Sequence, residues 1–454
     1  LKDIRVMTER RTTQESAYLE DLESLEKNVY GSDPSWARDL RKAAMSKFQN
    51  LGFPTARRGN EEWKYTDIGP VAKVKFQSFG SDVQSLVNAK NVESFSLGEK
   101  SWSQMVFVNG SYVEDLSSVS SLPSGVMVLN LTEAIRSVPE LVQQYLAHYA
   151  DYEANAFTAL NTAFIHDGAF IHIPDGILVE EPIRLLFLST SKDEEEPVSH
   201  PRVLIVVGKN SKATVIDGYV GVPNGRYFSN GVTEVVVGDG SRVEYYKVQQ
   251  QSDNAFHITN TDVSLGRDSY FSSINIDMGG KLVRNNLHVL TEDEGSSCVL
   301  NGLYLVNGTQ HVDNQVIIDH AKPYTTSREL YKGILDGKSR SVFHGSIIVR
   351  EGAVKVDANQ VDKNLLLSDQ AEADTKPAFW VYCDDVKCGH GAACGKMDEK
   401  AVFYMRSRGI DEKTARGLLT KAFVSDVIQS IANESLRSQI DDLVQFKIQE
   451  WVDR

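Results

Sequence analysis

Near the N-terminus, apolar side chains recur at three- and four-residue intervals. Leu19, Leu22, Leu25 and Val29 make one stripe within residues 14–29, and Trp36, Leu40, Ala44 and Phe48 make another after Asp33-Pro34. This spacing predicts two helices that each bury one face. Asp33 as N-cap with Pro34 in the first turn opens the second helix, and Gly52 closes it. A third helix is expected over residues 139–149, with Leu141 and Tyr145 on one face.

From about Phe164 the pattern changes to short β-branched runs. Residues 169–174 and 177–179 read as strands around a Pro-Asp-Gly turn, and the acidic run 192–197 reads as a solvated loop. Further strands are expected at 203–207, 213–216, 233–237, 243–248, 261–265, 270–276, 283–290, 342–349 and 354–356. No helical pattern intervenes, which disfavours a doubly wound α/β sheet. Gly208, Gly238, Gly266 and Gly295 recur at intervals of 30, 28 and 29, and the first three carry Ser211, Ser241 and Ser269 at one offset. A period of this size, with several strands per repeat, predicts a β-solenoid whose coils bury their apolar faces on one another. The strand pattern fades near Lys376-Pro377, and a last strand is expected over 378–386.

Beyond Lys396 the helical period returns. Asp398 caps a helix running through Tyr404 and Arg408 to Gly409, and Asp411 starts a second with Ala415, Leu418, Leu419, Ala422, Phe423 and Val427. A third covers residues 435–451, with Ile440, Leu443, Val444, Ile448 and Trp451 apolar. The reading divides the chain into an N-terminal helical and mixed region (1–155), a β core (156–395) and a C-terminal helical region (396–454).

Charge narrows the function. With 48 Lys and Arg against 62 Asp and Glu, the 454-residue chain carries a formal net charge of −14. That balance disfavours nucleic acid and anionic membranes as partners, so the C-terminal helices read as a partner-docking cap rather than a DNA reader. No run approaches the ~18 apolar residues of a membrane span. The chain begins at Leu1, and Arg5, Arg10 and Arg11 are too few to suggest a transit peptide. Four cysteines in this length point to a reducing compartment.

Three of those cysteines, Cys383, Cys388 and Cys394, lie within twelve positions, and His390 stands two residues after Cys388. In extended backbone Cys388 and His390 face the same side, a thiol and an imidazole suited to half of a soft-metal or iron–sulfur site. Cys383 has the opposite parity. Packing in a Gly-rich turn and a self-contained zinc site are the alternatives, although no second CxxC or HxxxH completes the latter. His311, Asp313, His320 and His344 would cluster only if the fold gathered them. Asp384-Asp385 cannot bracket one bond from adjacent strand positions. No GxxxxGK[ST] loop, GxSxG elbow or GxGxxG follows a strand. A β-helix hydrolase or lyase would need a carboxylate cluster on one face, and none is apparent.

Several segments together resemble the SufD family, scaffold subunits of the Suf iron–sulfur cluster assembly machinery. They are residues 384–392 (Asp-Asp-Val-Lys-Cys-Gly-His-Gly-Ala), Met397-Asp398-Glu399, 403–410 (Phe-Tyr-Met-Arg-Ser-Arg-Gly-Ile), 58–67 (Arg-Gly-Asn-Glu-Glu-Trp-Lys-Tyr-Thr-Asp), 301–304, 311–314 and 327–333. The paralogous SufB carries a cysteine that residues 364–369 here lack. The resemblance implies a mainly β fold, a right-handed parallel β-helix core with N-terminal and C-terminal α-helical regions, and a non-catalytic scaffold role. It further implies pairing with a SufB-like scaffold through the core, with His390 foremost and Cys388 next as ligands of a transient, shared iron–sulfur cluster. A SufC-like ABC-type ATPase, which binds the ATP, would dock on the C-terminal helices through Asp398, Phe403, Tyr404, Arg406, Arg408, Ala415, Leu418, Leu419 and Phe423. No cluster would be stably bound by the chain alone. The implied location is cytoplasmic, or the plastid stroma if a transit peptide has been removed. Cys383 and Cys394 would be structural.

Overall fold

A computed structural model describes residues 18, 20–25, 31, 33–56, 60–78, 87–120, 122–190 and 196–452. Arg5, Arg10, Arg11, most of the first expected helix, Arg58-Gly59 and residues 192–195 of the expected acidic loop lie outside the described residues. The fold is mainly β, a solenoid of about seven turns with helices at both ends. Successive strands alternate between two sheets, and each core strand pairs in parallel with its counterpart one coil away. Register is strict. Ile205, Val235, Val263, Val289, Ile318 and Ile347 stack in one inward column of the first sheet. Ala213, Val243, Phe271, Cys298, Ser327 and Ala358 do the same in the second. A slip of one residue would turn every such column outward, so the apolar parity locks the coils together.

The recurring glycines mark real corners, but the four do not form one column. Gly208, Gly238 and Gly266 each stand four residues before the aligned strand starts Lys212, Arg242 and Tyr270, whereas Gly295 stands two before Ser297. It belongs instead to a column of left-handed residues, Asn210, Gly240, Asp268, Gly295, Tyr324 and Lys355, with φ between 52° and 74°. The corner needs a positive φ, which Gly, Asn and Asp supply at least cost. Ser211, Ser241, Ser269, Ser296 and Thr325 follow directly. Their hydroxyls tie the corner, as where the Ser211 amide donates to Ser241 Oγ at 2.9 Å.

Two layers cover the outer faces. On the first sheet lies the N-terminal region, whose helix Ser35–Leu51 buries Ala37, Ala44, Met45 and Phe48. Here the expected Asp33 cap gives way. Pro34 occupies the N-cap position, and the buried Asp33 carboxylate instead pairs with Arg41 at 2.7 Å and Arg136 at 3.0 Å. The helix after Pro139 is also shorter than expected, ending at Tyr145. On the second sheet lies a hairpin of helices Glu412–Gln429 and Glu434–Val452. Its Val424, Val427, Ile428, Ile440, Val444 and Trp451 pack on Ile216, Tyr246, Ile274, Ile276, Leu303 and Ile334. That contact assigns the apolar stripe of the C-terminal tail to packing.

Buried charge fastens the N-terminal layer. Arg284, wholly enclosed, donates from Nη1 to Asp313 Oδ2 at 2.6 Å and to the Glu62 carbonyl at 3.0 Å, and its guanidinium lies 3.7 Å from the Trp63 ring centre. Thr66 Oγ1 donates to the same Asp313 carboxylate at 2.5 Å. The Glu-Glu-Trp-Lys-Tyr-Thr stretch is thus a clasp. Farther along, Glu234 accepts from the amides of Ala147, Tyr149 and Ala150 and from Arg202 at 2.5 Å. Removing one partner of such a pair strands the other charge in the interior, a loss of about 3–5 kcal/mol. Arg284→Ala is therefore expected to lower the unfolding free energy by about 3–5 kcal/mol in urea denaturation; a loss under about 1 kcal/mol would contradict the clasp.

Candidate functional site

The last strand of the second sheet is Lys387–Lys396, and among the described residues it pairs on one side only, with Asp357–Leu366. Its register sets Cys388 against Ala358, His390 against Gln360, Ala392 against Asp362 and Cys394 against Asn364. All four partners are buried in the solenoid interior. Cys388, His390 and Cys394 therefore share the inward parity, but on the terminal coil, where no further described coil covers them. His390 is exposed, and its ring lies tilted at 40° against Phe379, with ring centres 4.5 Å apart. Cys388 is half-buried.

The expected pairing of Cys388 with His390 on one side holds in this register. The parity argument against Cys383 does not. The preceding strand stops at Val381, a turn follows, and Cys383 packs against the same interior cluster as Cys388 and Phe379. Asp384 and Asp385 lie in that turn, where Asp385 pairs with Lys355 at 2.8 Å. Among the described residues no three His, Cys, Asp or Glu side chains converge to hold a metal ion. The His311, Asp313, His320 and His344 grouping dissolves for a geometric reason. His320 points inward and meets Thr325 and Ser327. On the opposite face of the sheet, His311 and Asp313 meet Thr66, and His344 meets Gln315.

Burial and the nearby Asp357 charge push the Cys388 thiol up, and burial with Asp362 does the same for Cys394. Both are thiols rather than thiolates near neutrality, so binding a soft metal must release a proton. Around the open end, Trp380 is 55% and Tyr382 65% exposed. The sequence reading did not single out these two, nor Phe379 and Gln360. The aromatic run from Phe379 to Tyr382 was the available signal, since apolar side chains leaving a strand pattern at its end often mark an interface.

The C-terminal residues separate into two groups. Asp398 caps helix Glu399–Ser407 by accepting from the Lys400 amide at 2.9 Å. Phe403 is 72%, Tyr404 59% and Leu418 48% exposed. Arg406 pairs with Glu412 at 3.3 Å, and Arg408 donates to Tyr404 Oη at 3.2 Å. Ala415, by contrast, is fully buried, and Leu419 and Phe423 are half-buried. Phe423 turns toward the sheet, where Lys332 donates to its carbonyl at 2.6 Å and pairs with Asp426 at 2.7 Å. Ala415 therefore offers no docking surface, because its side chain is not exposed.

Comparison with known proteins fits this layout. Residues 187–423 match the family model described as SUF system FeS cluster assembly, SufBD core domain, and residues 12–185 match the SufBD protein N-terminal region. The chain belongs to the SufBD family. Among curated relatives, an iron–sulfur cluster assembly SufBD family protein of Synechocystis is 31% identical over 92% of each chain. The iron–sulfur cluster assembly protein SufD of Escherichia coli is 28% identical over 87% of this chain and 89% of its own. Protein ABCI7, chloroplastic, of Arabidopsis thaliana is 29% identical over 92% and 88%. Within the family frame, the motif residues divide by direction. Gly302 and Gly333 give room for the rings of Tyr331 and Tyr304, which lie over them inside the solenoid. Lys332 faces outward to anchor the helical hairpin. No described helix is long and apolar enough to cross a membrane.

Thiol labelling tests the placement. At pH 8, iodoacetamide is expected to modify Cys394 readily and Cys388 more slowly, and to spare Cys298, which is wholly buried with its thiol pushed far up by burial. Modification of Cys298 in the folded chain at the rate of Cys394 would contradict the assigned register.

Proposed function

We propose that this SufD-like member of the SufBD family is a non-catalytic scaffold subunit that pairs with a SufB-like scaffold through the open end of the solenoid. One observation carries the reading. The uncovered edge strand bears a half-set of soft ligands, His390 and Cys388, at inward positions where a facing subunit can complete them. A free strand edge with exposed aromatics beside it is a ready pairing surface. An iron–sulfur cluster needs about four protein ligands, so a histidine and a thiol call for donors from elsewhere. The cluster is cargo, formed transiently at the interface and passed on.

A SufC-like ABC-type ATPase docks on the C-terminal helices through Phe403, Tyr404 and Leu418, with Arg406 and Arg408 at the rim and Asp398 holding the helix start. ATP belongs to that partner, and its closure strains the scaffold pair and opens the ligand site. The setting is the cytoplasm. The chloroplastic name of the Arabidopsis relative supports the plastid stroma as the second reading.

In the assembled complex, His390→Ala is expected to cut iron and labile sulfide recovery at least tenfold, and Cys388→Ala by less. Phe403→Asp should abolish ATPase capture in a pull-down while leaving scaffold pairing intact. Undiminished cluster recovery with His390→Ala would overturn the ligand assignment, and full capture with Phe403→Asp would overturn the docking surface.

A further inference from the structure

Beneath His390 the second sheet carries an inward column of Leu300, Glu329, Gln360 and His390, one residue per coil. Glu329 is 3% exposed and Gln360 not at all. Neither carboxyl oxygen of Glu329 has a hydrogen-bond partner among the described residues, and neither does the amide oxygen or nitrogen of Gln360. Each such atom is costly to bury. Four of them on adjacent rungs mark a position for a polar guest.

The surroundings limit what that guest is. Asp362 is the next inward residue beyond Gln360. It accepts from Asn364 Nδ2 at 2.8 Å and Tyr304 Oη at 3.5 Å. On the facing sheet, Gly345 leaves the space that the Gln360 amide enters, and a Cβ there would fall 1.3 Å from Gln360 Nε2. Carboxyl and amide oxygens of this kind are hard donors, suited to a divalent ion that retains part of its water shell. Adjacent rungs lie about 4.8 Å apart. Glu329 and His390 are thus separated by about 10 Å, too far to hold one ion together but close enough for a transfer.

We propose that Glu329 and Gln360 form an inner station for a divalent first-row metal ion, one step below the His390 and Cys388 mouth. Burial and the neighbouring Asp362 charge push the Glu329 carboxyl well up. Two protein oxygens with water bind weakly, as a position that must release its ion requires. That the ion is iron rests on the function proposed above; the station itself does not.

The test uses the full chain under anaerobic conditions. Mn2+ is titrated and read by loss of the free-ion EPR signal, and Fe2+ is measured by equilibrium dialysis. One ion per chain is expected, bound at least tenfold more weakly by Glu329→Gln and by Gly345→Ala, and retained by His390→Ala. Glu329→Gln keeps the volume and removes a buried carboxyl, so its melting temperature should hold or rise. Equal affinity in wild type and Glu329→Gln, or no binding by wild type, overturns the proposal. Scaffold capture by the same variants reads the functional proposal separately. A chain that binds metal but captures no scaffold overturns that proposal alone, and weakened metal binding with intact capture supports the station.

Discussion

A β-solenoid satisfies the backbone polar groups of each strand through the coils on either side, and the last coil has a neighbour on one side only. The groups left over must find water, a cap or another chain. Here the terminal strand Lys387–Lys396 pairs with Asp357–Leu366 and carries no described strand on its other edge. The same termination uncovers the inward side chains. In every earlier coil, the positions aligned with Cys388 and His390 are core. At the end, the identical parity leaves a thiol and an imidazole on the uncovered side of the last described coil. The free edge and the uncovered side chains thus follow from one geometric fact.

Buried charge fastens the outer layers to the solenoid. Burying Arg284 and Asp313, Arg202 and Glu234, or Lys247 near Asp217 and Asp277 is expensive unless each charge is matched. The matching groups often come from the covering segment. Glu62 and Thr66 complete the first clasp, and the amides of residues 147–150 complete the second. At the other face, Lys332 ties the C-terminal hairpin to the sheet through Phe423 and Asp426. A load applied to those helices would therefore reach the solenoid through a few buried contacts.

Much of this was legible in the sequence because solenoid coils repeat their chemistry. The alternation of β-branched residues identified strands, and three glycines gave the period. Gly295 misaligned because the coil from Phe256 to Leu282 spans 26 residues rather than 28 to 30. Its left-handed column is shared by Asn210, Asp268, Tyr324 and Lys355, residues with no common letter. The Cys388 and His390 pairing was readable from a two-residue spacing. The place of Cys383 was not, because a turn after Val381 breaks the parity on which the reading depended. Asp33 illustrates the same limit. Local chemistry made it a cap, and Arg41 and Arg136, eight and 103 residues away, took it instead. The unpaired Glu329 and Gln360 leave no local signal at all, since only register brings them beneath His390.

The central claim is that the open edge is completed by a second scaffold. Hydrogen–deuterium exchange of the amides in Lys387–Lys396, measured in the chain alone and with a SufB-like partner, tests it most directly. The account predicts that the amides pointing away from Asp357–Leu366 exchange freely in the isolated chain and become protected at least tenfold on pairing. Unchanged exchange across that strand in a complex that forms stoichiometrically would contradict it.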